Sequence, residues 1–198
     1  MIQELRHPVS PLHDLHGRHL EYLRLSLTDV CNFRCSYCLP DGYRKPKHAP
    51  APLSLEEISR LVRGFATVGL WKIRLTGGEP TLRAGFEDIA ATIAAVPGIS
   101  RVAMTTNGYR LSERAGAYRA AGITAINVSI DSLIPDRFSA ITGHDRLSEV
   151  LAGLDAARAA GFDCIKVNTV LMRDVNDDEL DAIVDFVAGK DISLRFIE

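Results

Sequence analysis

The sequence predicts an α/β fold: an incomplete parallel (βα) barrel of the TIM type, ending within its sixth strand. Three observations predict it. From Tyr22 onward, short strand-like runs alternate with helical stretches, the order that yields parallel strands with helical crossovers. Each run alternates apolar and polar residues with period two, so every strand has one greasy and one wet face. Several wet faces carry a cation. A parallel sheet buried between two helix layers is apolar on both faces. A closed eight-stranded barrel fills its lumen with branched apolar side chains. Neither matches the pattern, whereas a splayed barrel with a wet interior does.

Residues 1–20 read as an arm and 21–198 as one core domain. The arm holds His7, His13, His16 and His19. No strand or helix pattern fixes their rings, so they read as solvated rather than as a metal tract. Strands are predicted at 23–27, 72–76, 101–105, 124–130, 164–170 and 192–197. In the first, Leu23, Leu25 and Leu27 oppose Arg24, Ser26 and Thr28; in the second, Ile73 and Leu75 oppose Lys72, Arg74 and Thr76. Val102 and Met104 oppose Thr105 and Asn107, and Ile126, Val128 and Ile130 oppose Asn127, Ser129 and Asp131. Ile165 and Val167 oppose Lys166 and Asn168, and Leu194 and Phe196 oppose Ser193 and Arg195. The helix after the first strand opens on Ser54-Leu55-Glu56-Glu57, a capping box. Its apolar stripe is Leu55, Ile58, Leu61, Val62 and Phe65, and Gly69 can take the left-handed position at its end. Leu147, Val150, Leu151 and Leu154 form another stripe that stops at Gly161. Asn176 with Glu179 repeats the start signal ahead of Leu180, Ile183, Val184 and Val187. Arg24, Arg74, Lys166 and Arg195 all fall on wet faces and are predicted to converge. Like charges held together need an anion between them, so the lumen is expected to take a phosphate-bearing small molecule.

The formal net charge is −2, which gives no general attraction to nucleic acid or to an anionic membrane. No apolar run is long enough to span a bilayer, and no apolar signal core stands at the N-terminus. The chain is therefore expected to be cytoplasmic, with reduced thiols.

Chemistry concentrates in Thr28-Asp29-Val30-Cys31-Asn32-Phe33-Arg34-Cys35-Ser36-Tyr37-Cys38, directly after the first strand. Barrels of this kind place their sites at that end. Thiolates hold iron–sulfur cubes, which ordinarily take four. Cys31, Cys35 and Cys38 supply three, and Cys164 is expected at the opposite rim as a small buried side chain. One iron is thus left for a non-protein ligand. Zinc fits less well, because its sites usually add a distant cysteine pair or histidine. A second segment, Thr76-Gly77-Gly78-Glu79-Pro80, follows the second strand. Paired glycines let backbone approach a ligand closely.

Together these segments resemble the radical SAM superfamily. Tyr22-Leu23-Arg24-Leu25-Ser26, Asp29-Val30-Cys31-Asn32-Phe33-Arg34-Cys35 and Arg74-Leu75-Thr76-Gly77-Gly78-Glu79-Pro80 go further. With Thr105-Thr106-Asn107-Gly108, Ile126-Asn127-Val128-Ser129-Ile130-Asp131 and Lys166-Val167-Asn168, they are similar in order and spacing to the GTP 3′,8-cyclase family of molybdenum-cofactor biosynthesis. The resemblance implies one [4Fe-4S] cluster on Cys31, Cys35 and Cys38. It implies S-adenosylmethionine on Tyr37, Gly78 and Ser129, and GTP on Arg24, Arg74, Thr105 and Lys166. It also implies an electron donor, and a next enzyme, cyclic pyranopterin monophosphate synthase. In that family a second [4Fe-4S] cluster lies in a C-terminal part not found here. The chain is therefore expected to be a fragment whose cyclisation needs that part. Two other readings stand beside it: another radical SAM enzyme, of peptide-modifying type, and an inactive cluster- or nucleotide-binding remnant.

Overall fold

The computed structural model describes residues 11–197. In chain order it forms β1 (Tyr22–Ser26), α1 (Leu55–Thr67), β2 (Lys72–Thr76), α2 (Phe86–Ala94), β3 (Arg101–Thr106) and α3 (Leu111–Ala120). There follow β4 (Ile123–Ser129), α4 (Pro135–Thr142), α5 (Leu147–Ala159), β5 (Cys164–Val170), α6 (Leu180–Val187) and β6 (Ile192–Ile197). The six strands pair in sequence order, all parallel, in one open sheet with β1 and β6 at its edges. This is the incomplete barrel the alternation predicts. No helix among the described residues is long and apolar enough to cross a membrane.

The greasy faces meet the helices as read. Leu25, Ile73, Leu75, Val102, Met104, Ile126, Val128, Ile165 and Val167 are buried in one core with Ile58, Val62, Phe86, Ile93, Tyr118, Val150 and Leu154. The lumen face is less uniform than the alternation suggests. One row across the sheet runs Arg24, Arg74, Ala103, Ala125 and Cys164. Two small alanines stand beside two arginines, which leaves space for the long side chains. The next row is Thr105, Asn127, Lys166 and Ser193, and Arg195 lies beyond it, beside Asn168. The four predicted cations therefore form a staircase rather than one ring, and Arg195 at the sheet edge is exposed.

The capping box of α1 is present: Ser54 Oγ accepts from the Glu57 amide at 3.2 Å and Glu57 Oε2 accepts from the Ser54 amide at 2.8 Å. Only Ile58 and Val62 of its stripe are buried. Leu61 and Phe65 instead line a surface groove with Leu12 and Leu53. Gly69 and Gly161 take positive φ at helix ends, as read.

The pair Asn176 and Glu179 differs from its reading as a helix start. Neither makes a capping box. Asn176 is fully buried and ties three backbone groups together. It accepts from Met172 N at 2.7 Å and donates to Asp131 O at 2.7 Å and Val170 O at 2.9 Å. Glu179 accepts from Ser132 Oγ, Leu133 N and Arg137 Nη1. Tertiary partners at the mouth of the sheet outcompete the local cap.

Of the arm, residues 1–10, with His7, lie outside the described residues. Residues 11–20 form a closed loop: Leu20 N donates to Leu12 O at 2.9 Å and Leu12 N to Val68 O at 3.2 Å. The His13 and His19 rings meet across it at 4.3 Å.

Candidate functional site

The cysteine loop leaves the C-terminal end of β1 and is held from three sides. Arg34 N donates to Thr142 O at 2.9 Å and Ser36 N to Ile141 O at 2.8 Å, so the end of α4 carries its middle. Phe33 is its apolar anchor. It is 3% exposed, stacked on His144 at 5.2 Å and edge-on to Phe138 and Tyr109. A tight turn at Cys35 returns the chain, its carbonyl accepting from Cys38 N and Leu39 N at 2.9 Å.

The Gly-Gly-Glu-Pro loop packs backbone to backbone on the third side. Gly78 N donates to Thr28 O and Glu79 N to Val30 O, both at 2.8 Å. A Cβ on Gly77 would lie 2.3 Å from Thr28 O, and one on Gly78 2.5 Å from Val30 O. Both glycines are therefore required by the approach of the cysteine loop itself, a reason the sequence does not display. Glu79 is 1% exposed and faces inward. It accepts from Thr81 N, Thr81 Oγ1, Thr106 Oγ1 and Asn107 N, binding this loop to the end of β3. Burial pushes its carboxyl above the usual range against those donors.

These loops enclose a cavity of about 180 Å³. Cys31, Cys35 and Cys38 line it together with Tyr37, Gly78, Ser129 and Thr105. Seven of the ten predicted site residues thus share one space. Arg24, Arg74 and Lys166 do not line it; Arg74 and Lys166 are half-buried further down the same sheet face, and Arg24, on edge strand β1, is exposed, so its predicted enclosure is not found. Arg74 links the two levels, Nη1 donating to Thr105 Oγ1 at 3.3 Å, while its buried Nε has no partner. Two neighbours were left out of the predicted cation set, Tyr22 and Lys72, although the alternation puts Lys72 on the wet face. Tyr22 Oη accepts from Arg24 Nε at 3.2 Å, and its ring lies under Lys72 Nζ at 5.1 Å and Arg74 Cζ at 5.8 Å. Burial, then Arg74, Arg101 and Lys166, push the Lys72 ammonium below its ordinary value. The cations therefore sense one another across the lumen.

Asp131 was also missed, although the alternation puts it on the wet face. It is 2% exposed and accepts from Tyr37 Oη at 2.7 Å and Val170 N at 2.8 Å. This fixes the ring just before Cys38. Burial, then the Asp131 charge, push the Cys35 thiol up to about 11, and burial raises Cys31 as well. Both shifts favour the protonated thiol, and a bound metal would supply the positive charge that stabilises thiolate in its place. Among the described residues no three His, Cys, Asp or Glu side chains stand close enough to share a single metal ion. Three thiols spread around one cavity suit three corners of an iron–sulfur cube, and thiolate is the ligand such clusters take. Cys164 opens β5 in the row of Arg24 and Arg74, away from this cavity, and is half-buried rather than buried because it stands at the strand's start.

Comparison with known families matches residues 25–187 to the Radical SAM superfamily. The chain belongs to the radical SAM superfamily. Membership implies a [4Fe-4S] cluster and S-adenosylmethionine as its cofactors, and the cysteine cavity has the donor set for the first. Relatives are close. A GTP 3′,8-cyclase of Aeromonas hydrophila is 58% identical over 194 residues, covering 96% of this chain and 57% of the relative. One of Stenotrophomonas maltophilia is 56% identical over 190 residues, covering 96% and 58%. The chain thus spans less than two thirds of the length of the curated relatives it matches. Among solved structures, Streptococcus suis SuiB bound to S-adenosylmethionine superposes with a TM-score of 0.73 at 16% identity, covering 90% of this chain and 41% of SuiB. Native anSMEcpe with bound AdoMet and the Cp18Cys peptide gives 0.72 at 17%, covering 89% and 50%. Both share the radical SAM fold.

Proposed function

We propose that these residues form the part of a cytoplasmic GTP 3′,8-cyclase that holds its first cluster, S-adenosylmethionine and the GTP phosphates. The reaction is conversion of GTP to (8S)-3′,8-cyclo-7,8-dihydroguanosine 5′-triphosphate in molybdenum-cofactor biosynthesis. The observation that carries this reading is a set of cations on the same sheet face as the thiol cavity, joined to that cavity through the Arg74–Thr105 hydrogen bond. Identity of 58% to a named cyclase supports it.

Cys31, Cys35 and Cys38 would hold the cluster, with one position left for S-adenosylmethionine. Tyr37, Gly78 and Ser129 contact that cofactor, with Asp131 keeping the Tyr37 ring in place. The carbonyls of Gly77 and Gly78 accept no hydrogen bond among the described residues, so they can receive its amino group. When bound, cluster and S-adenosylmethionine supply the one-electron cleavage that activates the ribose 3′ position for closure onto guanine C8. Arg24, Arg74, Thr105 and Lys166 hold the triphosphate, arginine by bidentate pairing. A second cluster, an external electron donor and delivery to cyclic pyranopterin monophosphate synthase complete the reading.

The test is anaerobic reconstitution followed by electron paramagnetic resonance. The reduced spectrum is expected to change when S-adenosylmethionine is added. Cys31→Ala, Cys35→Ala and Cys38→Ala are each expected to abolish the signal, and Cys164→Ala to leave it intact. A spectrum indifferent to S-adenosylmethionine overturns the open-iron assignment. Cleavage of S-adenosylmethionine without any GTP binding overturns the substrate.

A further inference from the structure

Two asparagine side chains beside the cysteine loop form a relay whose direction is fixed from one end. Asn107 Oδ1 accepts from the backbone N–H of Tyr109 at 3.0 Å. A backbone N–H only donates, so the oxygen of Asn107 must face Tyr109 and its nitrogen must face the other way. Asn107 Nδ2 then donates to Asn32 Oδ1 at 2.9 Å. Turning Asn32 over would bring two donors face to face, so its orientation is set as well. Asn32 Nδ2 is thereby presented away from Asn107. It is buried and has no hydrogen-bond partner in the protein, although a carboxamide nitrogen carries two donors.

The relay is anchored firmly. Asn107 N donates to Glu79 Oε2 at 2.7 Å, and Glu79 N donates to Val30 O at 2.8 Å, within the cysteine loop. The loop that carries the thiols and the amide that orients Asn32 are therefore one rigid unit. Asn32 is not itself on the wall of the thiol cavity, but it stands in the chain between two residues that are, Cys31 and Phe33, and is bonded to a third, Asn107. A buried donor held this close to the three thiols and left without a partner calls for an acceptor that arrives with the cofactor.

We infer that Asn32 Nδ2 donates a hydrogen bond to a sulfur of the bound iron–sulfur cluster and raises its reduction potential. The inference rests on the cluster assignment made above. Reduction adds negative charge that the sulfurs share, so a donor there stabilises the reduced state more than the oxidised one.

The experiment is a redox titration of the reconstituted full chain, without S-adenosylmethionine, followed by electron paramagnetic resonance. Wild type is compared with Asn32→Leu, which removes both amide ends at similar size, and Asn32→Asp, which keeps the acceptor for Asn107. Asn32→Leu is expected to lower the reduced-to-oxidised ratio about tenfold at a fixed potential, a shift of about 59 mV for a one-electron couple. Asn32→Asp is expected to shift further in the same direction, since it adds negative charge. Electron–nuclear double resonance should show an exchangeable-proton coupling in wild type that both variants lack. If Asn32→Leu loads no cluster, the coupling and potential of Asn32→Asp decide. A loaded variant with wild-type potential and wild-type couplings overturns the role of Asn32 alone. Wild type that takes up no four-iron cluster overturns the cluster assignment instead.

Discussion

At Arg74 and Leu75, adjacent side chains leave one strand in opposite directions. Leu75 is fully buried against the helices, while Arg74 reaches into the lumen toward Thr105. The two positions separate folding from binding. Leu75→Ala is expected to cost about 2–5 kcal/mol of stability, the range for opening a cavity in a core. Arg74→Ala is expected to leave stability nearly unchanged and weaken GTP binding by about 1.5–3 kcal/mol, the range for hydrogen bonds to charged groups. Thermal unfolding and GTP titration of both variants check this. Unfolding by Arg74→Ala would mean that the strand faces are reversed.

At the scale of elements, two side-chain devices act on different loads. The α1 capping box is a local one. Its Glu57 carboxyl is held below the usual range by the Ser54 amide first and the Ser54 hydroxyl second. A carboxyl depressed in the folded state stabilises above its unfolded pKa and loses that effect as pH falls through the folded value. The stability gap between wild type and Glu57→Gln is therefore expected to be open at neutral pH and to close in acid, as read by urea midpoints. Asn176 is the opposite kind of device, holding the loops after β4 and β5 together. Asn176→Ala strands Met172 N, Asp131 O and Val170 O, at about 1–3 kcal/mol for each group left buried and unpaired. Denaturant unfolding is expected to show a loss well above that of an ordinary cap. The contrast explains what the sequence could show. The capping box, the strand faces and the cysteine spacing are local patterns, and they were legible. Asn176 with Glu179 carries the same letters as a cap, but their partners include Asp131 and Ser132, more than forty residues away, which no local window contains. Asn32, Asn107 and Asp131 were equally unreadable as a site, because their roles depend on which loop ends the sheet brings together. The alanines Ala103 and Ala125 escaped notice for a simpler reason. A small residue breaks no alternation, yet it decides where an arginine can lie.

For the whole molecule, the lumen is a store of unneutralised positive charge. Inorganic triphosphate is expected to raise the melting temperature by mass action, and added salt to weaken the effect. The shift should shrink for Arg74→Ala and for Lys166→Ala, as scanned by calorimetry; equal shifts in all three proteins would show that the anion binds elsewhere. The strict sequence order of the strands has a different consequence, in time rather than in space. Every strand pairs with the one made just before it, so the sheet can be laid down as the chain leaves the ribosome, without waiting for later segments. The steps are not equal. The connection 107–122 between β3 and β4 is short, whereas 27–71 between β1 and β2 carries the whole cysteine loop and α1. Closing the longer connection costs more chain entropy, by about 0.6 kcal/mol per doubling of length. The middle of the sheet therefore has the cheaper nucleus, and β1 joins it late. The strand that launches the thiol loop, the first of the six to be synthesised, is thus expected to be among the last secured, which would leave the loop open to incoming iron and sulfide over a sheet already formed.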